Sequence, residues 1–329
     1  MSPRTGGVAA WTGDEAVFIG GETKDLCPPN ADCIKAPEYA RDGAAYNPES
    51  RTWRAIPDAP FPIGGYTPRA VVDSSLIIVD DDGAWHALTE NRWRSLPSPP
   101  SPILLSSAAV NAWDGRVAAI GDDRRIQVLD VAEEKWSVLR PSPHRPRIDV
   151  RHALPTASGI VVIGVDPNVP DDGTVPSFLV AEVHAKGEWR RLERSDMVSG
   201  YVWHWTGERL VAPDLQCVDG GEVNGYGRCV PEGGRLDPES GQWSRLPHLP
   251  ELGASGWSIG AADGPRMLAW GYLYDDREGT WTKIERPAGA PSQQVASTWA
   301  DGTVIAFGGV DWRGGSSPDL SNRAWAWTP

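Results

Sequence analysis

One phrase recurs along this chain and restricts what it can fold into. Residues 45–60 read AYNPESRTWRAIPDAP, a strand, a tight turn on Asn47-Pro48-Glu49-Ser50, and a second strand carrying Trp53. Leu236 to Pro247 gives LDPESGQWSRLP, Leu88 to Pro97 gives LTENRWRSLP, and Leu129 to Leu139 gives LDVAEEKWSVL. Weaker copies are EVHAKGEWRRL, ending at Leu192, and LYDDREGTWTKI, ending at Ile284. Trp53, Trp93, Trp136, Trp189, Trp243 and Trp281 are each followed three residues later by Ile or Leu, at separations of 40, 43, 53, 54 and 38 residues. A recurrence near that period calls for a repeat architecture, with the whole array as one unit.

The units are built of strands. No window sustains a helical period, while short apolar runs such as AVFIG, LIIVD, VVIG and VIAFG alternate with turn residues. The 36 Gly and 30 Pro residues suit a chain full of turns. Each unit starts with an apolar strand, turns into a second, and then meets the recurrent phrase. This places units at about 4–60, 61–100, 101–143, 144–196, 197–250, 251–290 and 291–329, forming a single domain over residues 1–329.

The pattern resembles the Kelch β-propeller family, to which galactose oxidase's propeller also belongs. The resemblance spans essentially the whole chain. It rests on the double glycines Gly20-Gly21 and Gly308-Gly309, on Tyr46 ahead of Trp53, on the W-x-x-[IL] strands, and on Pro-Arg at Pro3-Arg4 and Pro68-Arg69. The double glycine decays to Val79-Asp80, Gly121-Asp122, Gly164-Val165 and Gly271-Tyr272, and is absent at Ala212-Pro213. The resemblance implies an all-β, seven-bladed propeller of four-stranded antiparallel blades, the first strand of each lining a central channel. Radial stacking covers both faces of every blade, and a Trp on the outer strand fills the wedge between neighbours. The seventh unit, ending RAWAWTP, lacks sequence for an outer strand, and only Met1-Ser2 precedes the first Pro-Arg. Either the ring closes on a three-stranded blade or a longer natural chain supplies the strand.

Charge and cysteine content bear on partners and compartment. Acidic residues outnumber basic ones 44 to 31, for a net charge of -13, which disfavours nucleic acid. No run reaches the roughly 20 apolar residues of a membrane span, and no secretory signal is visible after Met1. Cys27 with Cys33, and Cys217 with Cys229, lie as close pairs in two long insertions. Two local disulfides and an extracellular or periplasmic location are the expectation, against four free thiols in a cytosolic protein. A monomer is expected.

Function has to be argued from a site rather than from a fold. Residues opening the first strands are the candidates at the channel mouth: Arg4, Tyr66, Arg69, Arg147, Arg151, His152, Tyr201, His204 and Trp257. Arginine forks bind carboxylates or phosphates, and aromatic faces suit sugars or peptide side chains. The competing reading is that these residues pair with acids of adjacent blades. His152 and His204 with Tyr201 could hold copper or iron. Asp219, Glu222 and Asn224 have the hard oxygens of a calcium loop, without EF-hand spacing. No cofactor is required by any motif. The first expectation is therefore a module binding a protein, small-molecule or carbohydrate ligand through the channel loops. The alternative is an enzyme at the channel mouth, for which the resemblance admits sugar mutarotation or epimerisation, or copper- or iron-dependent chemistry.

Overall fold

The computed structural model describes residues 1–28, 31–34, 38–105, 110–145, 147–168, 178–197, 202–213, 233–247, 257, 259–313 and 317–329. Among them are 31 strands, numbered β1 to β31 in chain order, and no helix. Six four-stranded antiparallel sheets and one three-stranded sheet follow one another as the blades of a propeller ring.

The inner strands are β1 (Val8–Trp11), β7 (Arg69–Val72), β11 (Val110–Trp113), β15 (Asp149–Thr156), β19 (His204–Trp205), β23 (Ala261–Asp263) and β27 (Ala296–Ala300). Burial within a blade is set by radial position. The second strands are buried at every residue, as in β2 (Ala16–Ile19) and β8 (Ser75–Val79), or at all but their end residues, because a neighbouring blade covers each face. That is why they read as unbroken apolar runs rather than alternating ones. The outer strands β6 (Thr52–Ile56), β10 (Arg92–Ser95), β14 (Lys135–Val138), β18 (Glu188–Arg191), β22 (Trp243–Ser244) and β26 (Thr280–Lys283) are mostly exposed.

The recurrent phrase now has a physical meaning. Its acidic or amide residue forms a side-chain turn: Asn47 Oδ1 accepts from the Ser50 amide at 2.8 Å, and Asp237 Oδ1 from the Glu239 amide at 2.8 Å. Its Trp faces a third-strand residue across the sheet, as in Tyr46 with Trp53, Leu129 with Trp136 and Tyr274 with Trp281. The indole then reaches the preceding blade. Trp93 Nε1 donates to the Pro57 carbonyl (3.0 Å), Trp136 to Pro97 (2.8 Å), Trp189 to Arg140 (2.8 Å), Trp243 to Glu193 (2.8 Å) and Trp281 to Pro247 (3.1 Å). Each acceptor is the residue just after the Ile or Leu of the preceding W-x-x-[IL] strand. One motif therefore supplies the donor to one neighbour and the acceptor to the other.

Among the described residues seven apolar clusters lie between blades, and together they close the circle. The seventh joins first and last blades, with Ala16 and Phe18 against Ala300, Ile305 and Phe307. The last blade holds β27, β28 (Thr303–Phe307) and β31 (Ala324–Trp327). Over residues 1–329 this blade is three-stranded, in the order β27-β28-β31. The chain start assists the seam: the Arg4 amide donates to Ser321 O, the Gly309 amide to Arg4 O, and the Gly6 amide to Gln294 O.

Two hairpins extend beyond the sheets, β3 (Glu22–Lys24) with β4 (Glu38–Tyr39) in blade one, and β29 (Val310–Arg313) with β30 (Ser317–Leu320) in blade seven. Within the first insertion Cys27 and Cys33 are joined by a disulfide, as expected. Cys217 and Cys229 lie outside the described residues.

Candidate functional site

The inner strands enclose a cavity of about 600 Å3 in the ring. Blade one contributes Ala9, blade two Arg69, blade five Val202, His204 and Pro213, blade six residues 259–262 and 268–270, and blade seven Gln294, Ser297 and Thr298. Aliphatic residues and Trp270 line it together with the polar side chains of Arg69, His204, Gln294, Ser297 and Thr298. Arg69 is the only formally charged side chain among the described lining residues. Its Nη1 donates to the carbonyls of Gly65 (3.1 Å) and Thr67 (3.4 Å), which fixes the fork at the start of β7. Burial pushes its pKa below the usual arginine value, although arginine remains protonated in proteins.

His204 opens β19, where its backbone pairs with Val211, and its ring makes no hydrogen bond among the described residues. Burial alone pulls its pKa from 6.5 down to about 4, so the imidazole is neutral at physiological pH. A neutral imidazole offers one donor and one acceptor. Around it, Ser297 Oγ donates to the Gly260 carbonyl at 3.1 Å, and Gln294 Oε1 accepts from Thr5 Oγ1 at 3.2 Å. Trp270 supplies the largest aromatic surface. It is 47% exposed and holds its place through Nε1 donating to Pro213 O at 3.1 Å.

The candidates read from the sequence separate in space. Arg69 and His204 share this cavity. Arg147 lies in a groove of about 320 Å3 between blades three and four, with Arg124, Arg125, Arg140 and Trp189. Arg151 is exposed beside a register shift in β15, and His152 is buried on the same strand. Trp257 is fully buried in the cluster between blades six and seven, its Nε1 donating to Pro291 O at 3.1 Å. Tyr66 is 87% exposed. Arg4 is 2% exposed and pairs with Asp42 at 2.8 Å. Tyr201, Asp219, Glu222 and Asn224 lie outside the described residues. Among the described residues no three His, Cys, Asp or Glu side chains converge on one point.

Gln294, Ser297, Thr298 and Trp270 were missed as site residues. The position of Ser297 and Thr298 at the start of the seventh first strand was a usable signal for those two. Trp270 gave none, because a left-handed turn (φ 55°) at the end of the sixth second strand turns it toward the channel. A scan against protein-family models and a search of curated proteins find no match to this chain.

Proposed function

We propose that this propeller, Kelch-like in its repeat, is a binding module whose channel cavity takes a small ligand with an apolar body and one carboxylate or similar anionic end. The single observation that carries this reading is Arg69, the one formally charged side chain among the described residues of a cavity lined by both apolar and neutral polar groups. A guanidinium fork held by two backbone carbonyls keeps donors free to meet a planar anion. Neutral His204, Gln294, Ser297 and Thr298 supply polar groups that orient without adding charge. Binding is favoured over turnover because no carboxylate stands beside His204 among the described lining residues to form an acid–base pair.

The Cys27–Cys33 bridge supports an oxidising, extracellular or periplasmic setting for this monomeric module.

A calorimetric screen of small carboxylic acids against their neutral amides tests the reading. Acids are expected to bind and amides to bind at least tenfold more weakly. Arg69→Gln should erase that preference and Arg69→Lys should retain part of it. Equal binding of acids and amides, or no binding by either, would remove Arg69 as the anchor.

A further inference from the structure

A second pocket, of about 490 Å3, opens where blades four and five meet. Blade four contributes Ala157 and Ser158, from the turn between β15 and β16 (Gly159–Val165). Blade five contributes the turn after β19 and the turn between β21 (Gly234–Leu236) and β22. The lining differs in kind from that of the channel. Ala157 is the one aliphatic side chain among the described lining residues, and the apolar surface comes instead from the indoles of Trp205 and Trp243. Glu208, Asp237 and Glu239 stand against Arg209 and Arg235, so neither sign of charge prevails. Gln242, Ser158 and Ser244 add neutral donors and acceptors.

The walls are fixed from behind. Asp276, its side chain 3% exposed, pairs with Arg209 Nε at 3.1 Å and Arg235 Nη1 at 3.8 Å, and accepts from the Tyr274 hydroxyl at 3.1 Å. Arg235 Nη2 also donates to Arg245 O at 3.0 Å. Trp243 is pinned by its bond to Glu193 O and by an edge-on contact with Trp203, ring centroids 6.0 Å apart. The exposed side chains of Gln242 and Glu239, by contrast, make no hydrogen bond among the described residues. A long apolar ligand finds almost no aliphatic wall here, and a small ion of either sign meets its own charge. Flat aromatic surface beside mixed donors and acceptors suits a ring with C–H faces and a hydroxyl edge.

We propose that this pocket binds a neutral carbohydrate, a mono- or disaccharide whose pyranose face lies on the indoles and whose hydroxyls meet Gln242, Glu239 and Arg209. The site shares no lining residue with the channel cavity and does not depend on the channel's ligand.

The probes are the methyl glycosides of glucose, galactose, mannose and N-acetylglucosamine, with cellobiose and lactose, titrated into the intact protein by calorimetry and followed by saturation-transfer NMR. At least one should bind saturably, with one site per chain, and its ring C–H protons should receive saturation from the tryptophans. The double substitution Glu239→Ala and Gln242→Ala should weaken that binding at least tenfold and leave the unfolding midpoint unchanged, since both side chains are exposed. Arg69→Gln should leave sugar binding as it is. No binding by any of these sugars at millimolar concentration, or binding that the double substitution leaves intact, would overturn the proposal. Loss of sugar binding in Arg69→Gln would place the sugar in the channel and overturn it equally.

Discussion

Arg4 and Asp42 form an ion pair at 2.8 Å, and the arginine that makes it is almost wholly enclosed. The same guanidinium donates to Gly20 O at 3.1 Å and Ser2 Oγ at 2.9 Å. Its backbone, meanwhile, exchanges hydrogen bonds with Ser321 and Gly309 of the last blade. Arg4 thus ties the chain start to both sides of the seam. Replacing it with Ala should cost about 3 kcal/mol, since several buried hydrogen bonds go and polar partners are left behind. Urea unfolding of Arg4→Ala measures this.

Acid should open the same seam. Burial works to raise the Asp42 carboxyl, but the Arg4 hydrogen bond and charge outweigh it, and the net result is a pKa below the usual 3.8. A depressed carboxylate contributes stability that is present above its unfolded value and lost as pH falls through its folded one. The wild type should therefore lose more stability than Asp42→Asn below about pH 4. Parallel acid titrations of the two proteins, followed by tryptophan fluorescence, check this. Identical profiles would show that the pair is not linked to folding.

The indole chain between blades gives a comparison between two chemically identical substitutions. Trp136 donates to Pro97 O at 2.8 Å and meets Trp85 edge-on with ring centroids 4.9 Å apart. Trp53 packs near Phe18 and Phe307 at 5.8 and 6.1 Å, with no acceptor for its N–H among the described residues. Trp136→Phe loses a hydrogen bond and leaves a carbonyl unsatisfied, while Trp53→Phe loses only area. The first should cost at least about 1 kcal/mol more than the second. Equal losses in chemical denaturation would mean that the N–H contributes nothing.

His204 gives the channel a pH response of its own. Its pKa falls from 6.5 in the unfolded chain to about 4 in the folded one. Between these values the unfolded chain holds the proton and the folded protein does not. Stability therefore falls as pH drops through 6.5, by about 1.4 kcal/mol per unit, and the loss reaches about 3 kcal/mol near pH 4. His204→Gln should flatten this part of the profile. The difference in unfolding midpoint between the two proteins should grow steadily from pH 7 to pH 4.

What was legible in the sequence was what repeats. The W-x-x-[IL] phrase marks outer strands because each unit meets the same interblade wedge. The unbroken runs AVFI and SLIIV mark second strands because both their faces are covered. The cavity was harder to read, since linear order does not say which inner-strand residues turn toward the axis. Arg69 and His204 do, whereas Trp257, an equally plausible aromatic, turns into the wedge between blades six and seven. Arg4 shares its Pro-Arg dipeptide with Arg69, yet one is buried in the seam and the other lines the channel. The dipeptides diverge because Arg69 opens β7, whereas Arg4 stands four residues ahead of β1 and turns to Asp42 of its own blade.

The double glycines show the same seam. They survive intact at 20–21 and 308–309, the two blades that flank the chain start. Gly308 has φ +71°, and a Cβ there would lie 2.6 Å from the Arg4 carbonyl oxygen, a backbone atom that cannot swing aside. Gly83 has a similar φ of +81° but open space around its Cβ position. Gly83→Ala should therefore cost only the left-handed strain, about 1 kcal/mol. Gly308→Ala adds displacement of the chain start and should cost about 3 kcal/mol, within the upper range for overpacking. If the seam is the weak point of the ring, Gly308→Ala should also speed proteolysis at the N-terminus, while Gly83→Ala leaves it unchanged. Limited digestion followed by mass spectrometry reads both outcomes, and equal cleavage in the two variants would place the weak point elsewhere.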